Sequence, residues 1–295
     1  MTNRCRLCGE EEITLFHKSC RDNEKVDILK CNTCGMLQTS DMSVITDEWY
    51  ENGEMHKEHY SSEDDEIQTQ TWELWLRESE EDSIRRVNAL KEYARGKKVL
   101  DFGCGAAGFL RLLKDEIDDM SCGIELDNFA RKKLAEEGIR AYANIDEIEE
   151  QYDMITSFHV LEHLNEPKFY LDKIYEKLKG GGYLILETPN ADDALISYHQ
   201  NDAFKKFTFW SAHVMLYNSS NLETLVNQCG FETVDNGQVQ RYPLSNHLQW
   251  LATGKPGGHT KMVLFNDKEL NEKYEQVLKS EKICDTLFAI FRKPL

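Results

Sequence analysis

Val99-Leu100-Asp101-Phe102-Gly103-Cys104-Gly105-Ala106-Ala107-Gly108 is the stretch that decides the fold. An apolar run ends in an acid, enters a glycine-rich turn and opens onto Phe109-Leu110-Arg111-Leu112-Leu113, which reads as a helix. Glycine suits such a turn because it reaches positive φ without strain and lets a ligand come close to the backbone. The helix N-terminus then offers N–H groups without intrahelical partners. Outward along the chain, Ser121-Cys122-Gly123-Ile124 forms a second apolar run and ends in Glu125. An acid at the end of the second strand of such a unit accepts hydrogen bonds from ribose hydroxyls.

The spacing Gly103-x-Gly105-x-x-Gly108 fits the dinucleotide fingerprint, and it also fits a turn that only joins strand to helix. Asp101 argues for a different ligand. A carboxylate just before the first glycine opposes a pyrophosphate but suits a positively charged molecule. S-adenosylmethionine carries both a sulfonium and an ammonium group. The candidate cofactor residues here are Asp101, Gly103, Cys104, Gly105, Gly108, Glu125 and Leu126.

Strands and helices alternate on both sides of this turn. A helix over 71–95, stopped by Gly96, precedes strand 97–102, with Trp72, Leu76, Ile84, Val87, Leu90 and Ala94 at helical spacing. Helix 107–116, strand 121–125, helix 128–137 and a short strand 139–143 follow. Strand 152–158 leads to a helix near 166–179 that Gly180-Gly181-Gly182 should stop. Strand 183–188 comes next. Ser220-x-x-Glu223 reads as the capping box of helix 221–229, and strands to about Arg241 and over Cys284–Arg292 complete the set. Such alternation predicts an α/β fold with a doubly wound, mostly parallel sheet.

The chain resembles the class I S-adenosylmethionine-dependent methyltransferases. VLDFGCGAAG matches their first motif and GIELD (Gly123 to Asp127) their second. YDMITSFHVLEHLNEP (Tyr152 to Pro167), LKGGGYLILETPN (Leu178 to Asn190) and HVMLYNSSNLETLVNQCGF (His213 to Phe231) match the fourth-strand, fifth-strand and penultimate-helix regions in order. The resemblance implies a Rossmann-like seven-stranded sheet with its last strand antiparallel, binding of S-adenosylmethionine, and transfer of its methyl group. Asn144 or Ile145, after the third strand, would frame the adenine, with Asp146 in place of the usual acid.

Cys5-Arg-Leu-Cys8-Gly9 and Cys31-Asn-Thr-Cys34-Gly35 are two C-x-x-C-G knuckles. The two-residue spacing lets both thiolates of a knuckle face one ion, and four thiolates suit tetrahedral Zn²⁺. A redox pair and a disulfide framework are the alternatives. A closed four-thiolate site keeps no open position for catalysis, so Cys5, Cys8, Cys31 and Cys34 are expected to hold a structural ion that folds a small segment. Cys20, between the knuckles, is expected to be a packing residue or a spare thiol. Residues 1–45 therefore read as a zinc ribbon, 46–95 as linker and helical cap, and 96–295 as the catalytic domain. Trp49 and Tyr50 are the linker's anchors, placed either to cover the cofactor or to tie the ribbon down. A knuckle module before such a domain is similar to small-molecule methyltransferases of sugar, polysaccharide and natural-product pathways.

His159, Glu162 and His163 follow the fourth strand, where open α/β sheets bind ligands. Three readings stand. His159 can serve as base or substrate ligand, with His213 across from it. His159, Glu162 and His163 at i, i+3, i+4 can hold a divalent ion, as the similar E-x-x-E-H site of quinone-pathway and small-RNA-end O-methyltransferases does. Glu162 and His163 can also simply support the loop. The insertion 242–281 contains Gly254-Lys255-Pro256-Gly257-Gly258-His259, either a grip for an anionic substrate group or a connecting turn before helix 267–280.

A formal net charge of −18 disfavours DNA or RNA as partner. Arg131-Lys132-Lys133 and Lys205-Lys206 read as solvated faces. No apolar run approaches the length of a membrane span, and Met1-Thr2-Asn3-Arg4-Cys5 lacks the apolar core of a signal peptide. Nine cysteines in that context point to a reducing cytoplasm. The expected substrate is a small polar molecule, anionic or nucleotide-linked, and the expected state a monomer or homodimer. An RNA or protein methyltransferase docking through the ribbon, and a non-catalytic S-adenosylmethionine-binding protein, are the rivals.

Overall fold

The computed structural model describes residues 4–43 and 65–295, with side chains of the second stretch from Thr69 onward. Trp49 and Tyr50 lie outside the described residues. In chain order the elements are β1 (Ile13–His17), β2 (Ile28–Cys31), β3 (Leu37–Thr39), α1 (Asp65–Ala94), β4 (Val99–Phe102), α2 (Gly108–Leu113), β5 (Cys122–Ile124), α3 (Asn128–Glu136), β6 (Ala141–Tyr142) and β7 (Tyr152–Phe158). There follow α4 (Pro167–Lys177), β8 (Leu178–Pro189), α5 (Ala194–Ser197), α6 (Asp202–Thr208), β9 (Met215–Leu216), α7 (Ser219–Gln228), β10 (Glu232–Val239), α8 (Leu244–Thr253), α9 (Gly258–Lys261), α10 (Lys268–Glu281) and β11 (Thr286–Arg292).

Seven strands form one mixed sheet in the order β6-β5-β4-β7-β8-β11-β10, with the last strand antiparallel. At its centre β4 pairs in parallel with β5 and β7, so that Asp101 lies level with Gly123 on one side and Thr156 on the other. All four residues of β4 are buried. A strand covered on both faces needs an unbroken apolar run, and Val99-Leu100 provides it up to the acid at its end.

Two compact units divide the chain. One comprises Ser43–Val160, Phe169–Ile185 and Arg292–Leu295; the other comprises Met1–Met42, Leu161–Lys168 and Leu186–Phe291. In the first, α1 presents Trp72, Ser83, Leu90 and Ala94 as buried residues, while Ile84 is 45% exposed. The helical spacing expected Ile84 inside. Ser83 takes the inward position because Gly108 comes so close that a Cβ there would stand 2.3 Å from the Ser83 hydroxyl oxygen.

In the second unit the ribbon strands do not form a closed module. The small sheet runs β1-β2-β3-β9, and β9 pairs antiparallel with β3 at Leu37↔Leu216 and Gln38↔Met215. Cys20, Val26, Ile28 and Leu37 share one apolar core with Ala191, Ile196, Phe209 and Leu216. A segment this small cannot bury a core by itself, and here it borrows one.

Three local expectations are corrected. α4 ends at Lys177, and Gly180-Gly181-Gly182 lies within β8 rather than stopping the helix. Backbone crowding is the reason: a Cβ on Gly182 would sit 2.9 Å from the carbonyl oxygens of Asp153 and Lys179. α7 starts earlier than the Ser220 box. Its cap is Asn218, whose side chain accepts from Asn221 N–H while the Asn221 side chain accepts from Asn218 N–H. Within the 242–281 insertion, α8 was not foreseen; it buries Ser245, His247, Gln249 and Trp250, a mostly polar set without an apolar stripe.

Candidate functional site

The glycine turn is built by backbone first. Gly103 and Gly105 both take positive φ, 75° and 53°. Ala107 also does, at 54°, so the left-handed position before α2 falls on alanine rather than Gly108. A Cβ at Gly103 would collide with the Val160 side chain at 2.3 Å, and one at Gly105 would press on the Trp75 ring at 3.0 Å. The turn is held by Gly103 and Cys104 N–H groups donating to the Ile124 carbonyl, both at 2.8 Å. Cys104 itself is buried, its sulfur filling the space a side chain on Gly123 would need.

Two carboxylates flank the turn. Asp101 is 3% exposed and accepts from the Thr156 hydroxyl at 2.7 Å. Burial pushes its carboxyl up to about 6, against the opposing pull of the Thr156 hydrogen bond and of Arg86. Glu125 accepts from the N–H of Gly105 at 2.8 Å through one oxygen and from that of Asp127 at 2.9 Å through the other. Burial raises its pKa, and those two amides oppose the shift. Each oxygen keeps a second lone-pair direction, as ribose recognition requires. Arg131 donates to the carbonyls of Glu125 and Leu126, both at 2.6 Å, and so clamps this loop instead of facing solvent.

Asn144 and Ile145 are differently placed. The Asn144 side chain caps the short 3₁₀ turn Ile145–Glu147 by accepting from Asp146 N–H at 3.0 Å, and Ile145 is 1% exposed. Asp146 pairs with Lys173. The residues that the sequence did not single out are Thr156, Trp75 and Arg131's loop contacts. Thr156 carries no motif signal; only the β4–β7 register reveals it.

In the other unit, Glu162, His163 and His213 bring one ligand-competent atom each to within 4.8 Å of one another. His159 is not part of this trio. It carries φ 57°, and Leu161–His163 is a 3₁₀ turn, so the i, i+3, i+4 spacing of an α-helix does not apply. His163 Nδ1 lies 3.0 Å from the Ala212 carbonyl, which makes Nδ1 the donor and puts the basic lone pair on Nε2. The imidazoles of His163 and His213 stand 4.9 Å apart edge to face, with Trp210 against both. The Glu162 carboxylate is fully buried and accepts from the Thr188 hydroxyl at 2.9 Å.

The four knuckle cysteines also gather within 4.8 Å. Cys5 and Cys34 sulfurs are 3.5 Å apart, Cys8 and Cys31 sulfurs 3.6 Å. A tetrahedral ion with Zn–S bonds of about 2.3 Å has S···S edges of about 3.8 Å, so the set fits Zn²⁺ without rearrangement. Gly9 and Gly35 both have φ 77°, as the knuckle turns require. In the insertion, Lys255 and His259 are exposed, while Gly258 N–H points to the Asn246 side chain at 3.4 Å. Lys205 is buried and donates to Gln200 at 2.6 Å rather than lying on a solvated face. Among the described residues no helix is long and apolar enough to cross a membrane.

A family model described as a methyltransferase domain matches residues 75–236, more than half of the chain. Among curated proteins, the ubiquinone biosynthesis O-methyltransferase of Pseudomonas entomophila (strain L48) is 31% identical over 134 residues, which is 39% of this chain and 57% of that protein. The protein of the same description from Shewanella pealeana is 30% identical over 105 residues, covering 32% of this chain and 44% of its own length. The chain thus spans about half the length of the curated relatives it matches. Among solved structures, a SAM dependent methyltransferase from Archaeoglobus fulgidus aligns with a TM-score of 0.51 at 22% identity, over 73% of this chain and 95% of that one. A chain from the complex of the Haloferax volcanii Trm112 methyltransferase activator with a methyltransferase aligns with a TM-score of 0.52 at 13% identity, over 79% and 100%. At these identities the likeness speaks to the fold alone.

Proposed function

The chain belongs to the methyltransferase-domain family, and from that premise we propose that it transfers the methyl group of S-adenosylmethionine to a small polar acceptor. The observation that carries this reading is the pair of buried acids, Asp101 and Glu125, on either side of the glycine turn. A diphosphate at that turn would meet two carboxylates. A cationic nucleoside is stabilised by Asp101 and offers ribose hydroxyls to Glu125. When bound, it supplies an electrophilic methyl group at sulfur.

His163 and His213 are the groups suited to take the acceptor's proton. With Nδ1–H committed to Ala212, the His163 ring presents Nε2 as its base. The curated relatives are O-methyltransferases, which supports oxygen as the accepting atom. The strongly acidic balance supports a metabolite over nucleic acid, and a sugar or nucleotide-linked precursor is the substrate class we assign. Cys5, Cys8, Cys31 and Cys34 hold Zn²⁺ in a structural role.

A second reading of the histidine site rests on the Glu162–His163–His213 cluster, which offers a mixed oxygen and nitrogen set to a divalent ion. Such an ion would lower the acceptor's pKa in place of a base. Manganese titration followed by electron paramagnetic resonance separates the two, since binding lost in His213→Ala favours the ion.

The proposed function is tested by incubating the protein with labelled S-adenosylmethionine and host extract, then separating small metabolites from macromolecules. Label in the small fraction is expected. Label only in RNA or protein would turn the ribbon into a docking module, and cofactor binding with no label anywhere would favour a non-catalytic sensor.

A further inference from the structure

The ribbon reaches the histidine site through the loop Cys20–Asn23, which lies between the knuckles and belongs to neither. The loop is a closed turn: the Cys20 N–H donates to the Asn23 carbonyl at 3.1 Å, and the Asn23 N–H to the Cys20 carbonyl at 3.3 Å. Cys20 anchors it in the core that the ribbon shares with Phe209. From that base the two residues at its tip hold the segment 209–211. The Arg21 N–H donates to the Phe209 carbonyl at 2.8 Å, and the Arg21 guanidinium lies 4.9 Å from the centre of the Trp210 ring. Asp22 turns both carboxylate oxygens to one residue: Oδ1 accepts from the Ser211 N–H at 3.0 Å and Oδ2 from the Ser211 hydroxyl. Hydrogen bonds to an ionised acceptor are the strong ones. Ser211 is buried, so its two donors depend on that carboxylate.

Ser211 is the second residue of a turn from which most of the histidine site is built. The His213 N–H donates to the Trp210 carbonyl at 3.0 Å and closes Trp210-Ser211-Ala212-His213 as a β-turn. Its first residue supplies the indole that packs on both imidazoles. Its third supplies the carbonyl 3.0 Å from His163 Nδ1, and its fourth is His213 itself. A carbonyl accepts only from a protonated nitrogen, so the place of the Ala212 oxygen decides which nitrogen of His163 is basic. An imidazole without such a partner takes mainly the other tautomer, with its proton on Nε2. We propose that Asp22 is a positioning residue of the reaction: it fixes the turn Trp210–His213 and, through the Ala212 carbonyl, keeps the His163 proton on Nδ1 and the lone pair on Nε2. The proposal rests on the reading above in which His163 takes the acceptor's proton. It gives the ribbon a part in how the base works, beyond holding an ion.

The test reads tautomer and rate on the full, zinc-loaded chain. Long-range proton–nitrogen correlation NMR of histidine-labelled protein, at a pH where the imidazoles are neutral, reports the tautomer; the His163 signals are assigned by their loss in His163→Gln. The wild-type chain is expected to show the Nδ1–H form at His163. In Asp22→Ala the Nε2–H form should become the major one. The initial rate of label transfer from saturating S-adenosylmethionine into the small metabolites of host extract should fall about ten- to a hundredfold in that variant. The KM of the cofactor should stay within about twofold. Asp22→Asn keeps one oxygen for the Ser211 N–H and offers the hydroxyl an amide to accept from, so it should retain the wild-type tautomer and a rate within about threefold. If Asp22→Ala does not fold, Ser211→Ala removes the hydroxyl's bond alone and should show the same change of tautomer in smaller measure. An unchanged tautomer at His163 in the variant read overturns the proposal, as does a changed tautomer with an unchanged rate. A tautomer that changes as expected in a chain that transfers no methyl group to any acceptor sinks the methyltransferase reading instead, and leaves the hold of Asp22 on His163 standing.

Discussion

Asp101 shows how one residue can carry both a cost and a function. With its folded pKa raised to about 6, the unfolded chain ionises first, so folding stability declines as pH climbs from about 4 to about 6. A shift of that size costs about 3 kcal/mol once the carboxylate is ionised in the interior. A cationic ligand recovers part of that cost, so it binds the ionised form. Calorimetry of S-adenosylmethionine binding should therefore show affinity rising with pH up to about 6, by at most about tenfold per unit, and flat above. In Asp101→Asn the slope should vanish along with most of the affinity; an unchanged slope would remove Asp101 from the site. Gly108 is the complementary case, a residue that acts by being small. Gly108→Ala should cost about 1–3 kcal/mol in denaturant unfolding, because its Cβ would lie 2.3 Å from the Ser83 oxygen. Ser83→Ala removes that oxygen and leaves a Cβ at 3.1 Å, so the double variant should recover part of the loss. The turn through Gly103 and Gly105, with the acids Asp101 and Glu125 on either side, was legible as local geometry because a motif spaces them. Thr156 and Ser83 were not, since each is defined by what stands across from it.

Elements with a strong period were readable almost to the residue. β7 spans Tyr152–Phe158, the bounds read from the sequence. β9, only two residues long, has no period to read, yet it joins the ribbon sheet to the segment carrying His213. Gly180 to Gly182 misled because glycine marks both a helix stop and a close backbone approach, and sequence alone does not tell which. The ribbon's hold on that segment is direct. Arg6, between the cysteines of the first knuckle, donates to the carbonyls of Val214 and Thr39, both at 3.1 Å. Its backbone N–H donates to the Gln38 side chain at 3.0 Å. Arg6 thus holds the backbone at Val214, next to His213, and the proposed reaction makes it a candidate positioning residue. Arg6→Met keeps the aliphatic stem and removes both side-chain donors. Methyl transfer should fall about ten- to a hundredfold through kcat, the imidazole proton signal of His213 should move, and S-adenosylmethionine affinity should hold. Arg6→Lys should recover part of the rate. A lower melting temperature with kcat and the His213 signal untouched would reduce Arg6 to a structural role.

At the scale of the molecule, the two chemistries fall in separate units. Asp101, Gly105, Glu125 and Thr156 lie in the unit built on Ser43–Val160; the four thiols, Glu162, His163 and His213 lie in the other. The ribbon shares its core with residues 191–216 and its sheet with β9, so stripping the ion should loosen the histidine segment together with the knuckles. Structural zinc contributes folding free energy outright, because unfolded thiols offer no preformed site. Treatment with a thiol-reactive reagent and chelator should release about one zinc per chain. Methyl transfer should then fall more than about tenfold, while S-adenosylmethionine affinity by calorimetry should change by less than about twofold, since the thiols and the glycine turn belong to different units. Return of zinc under reducing conditions should restore the rate. If cofactor affinity is lost in step with the metal, the thiol site supports the glycine turn as well, and the separation of the two chemistries is wrong.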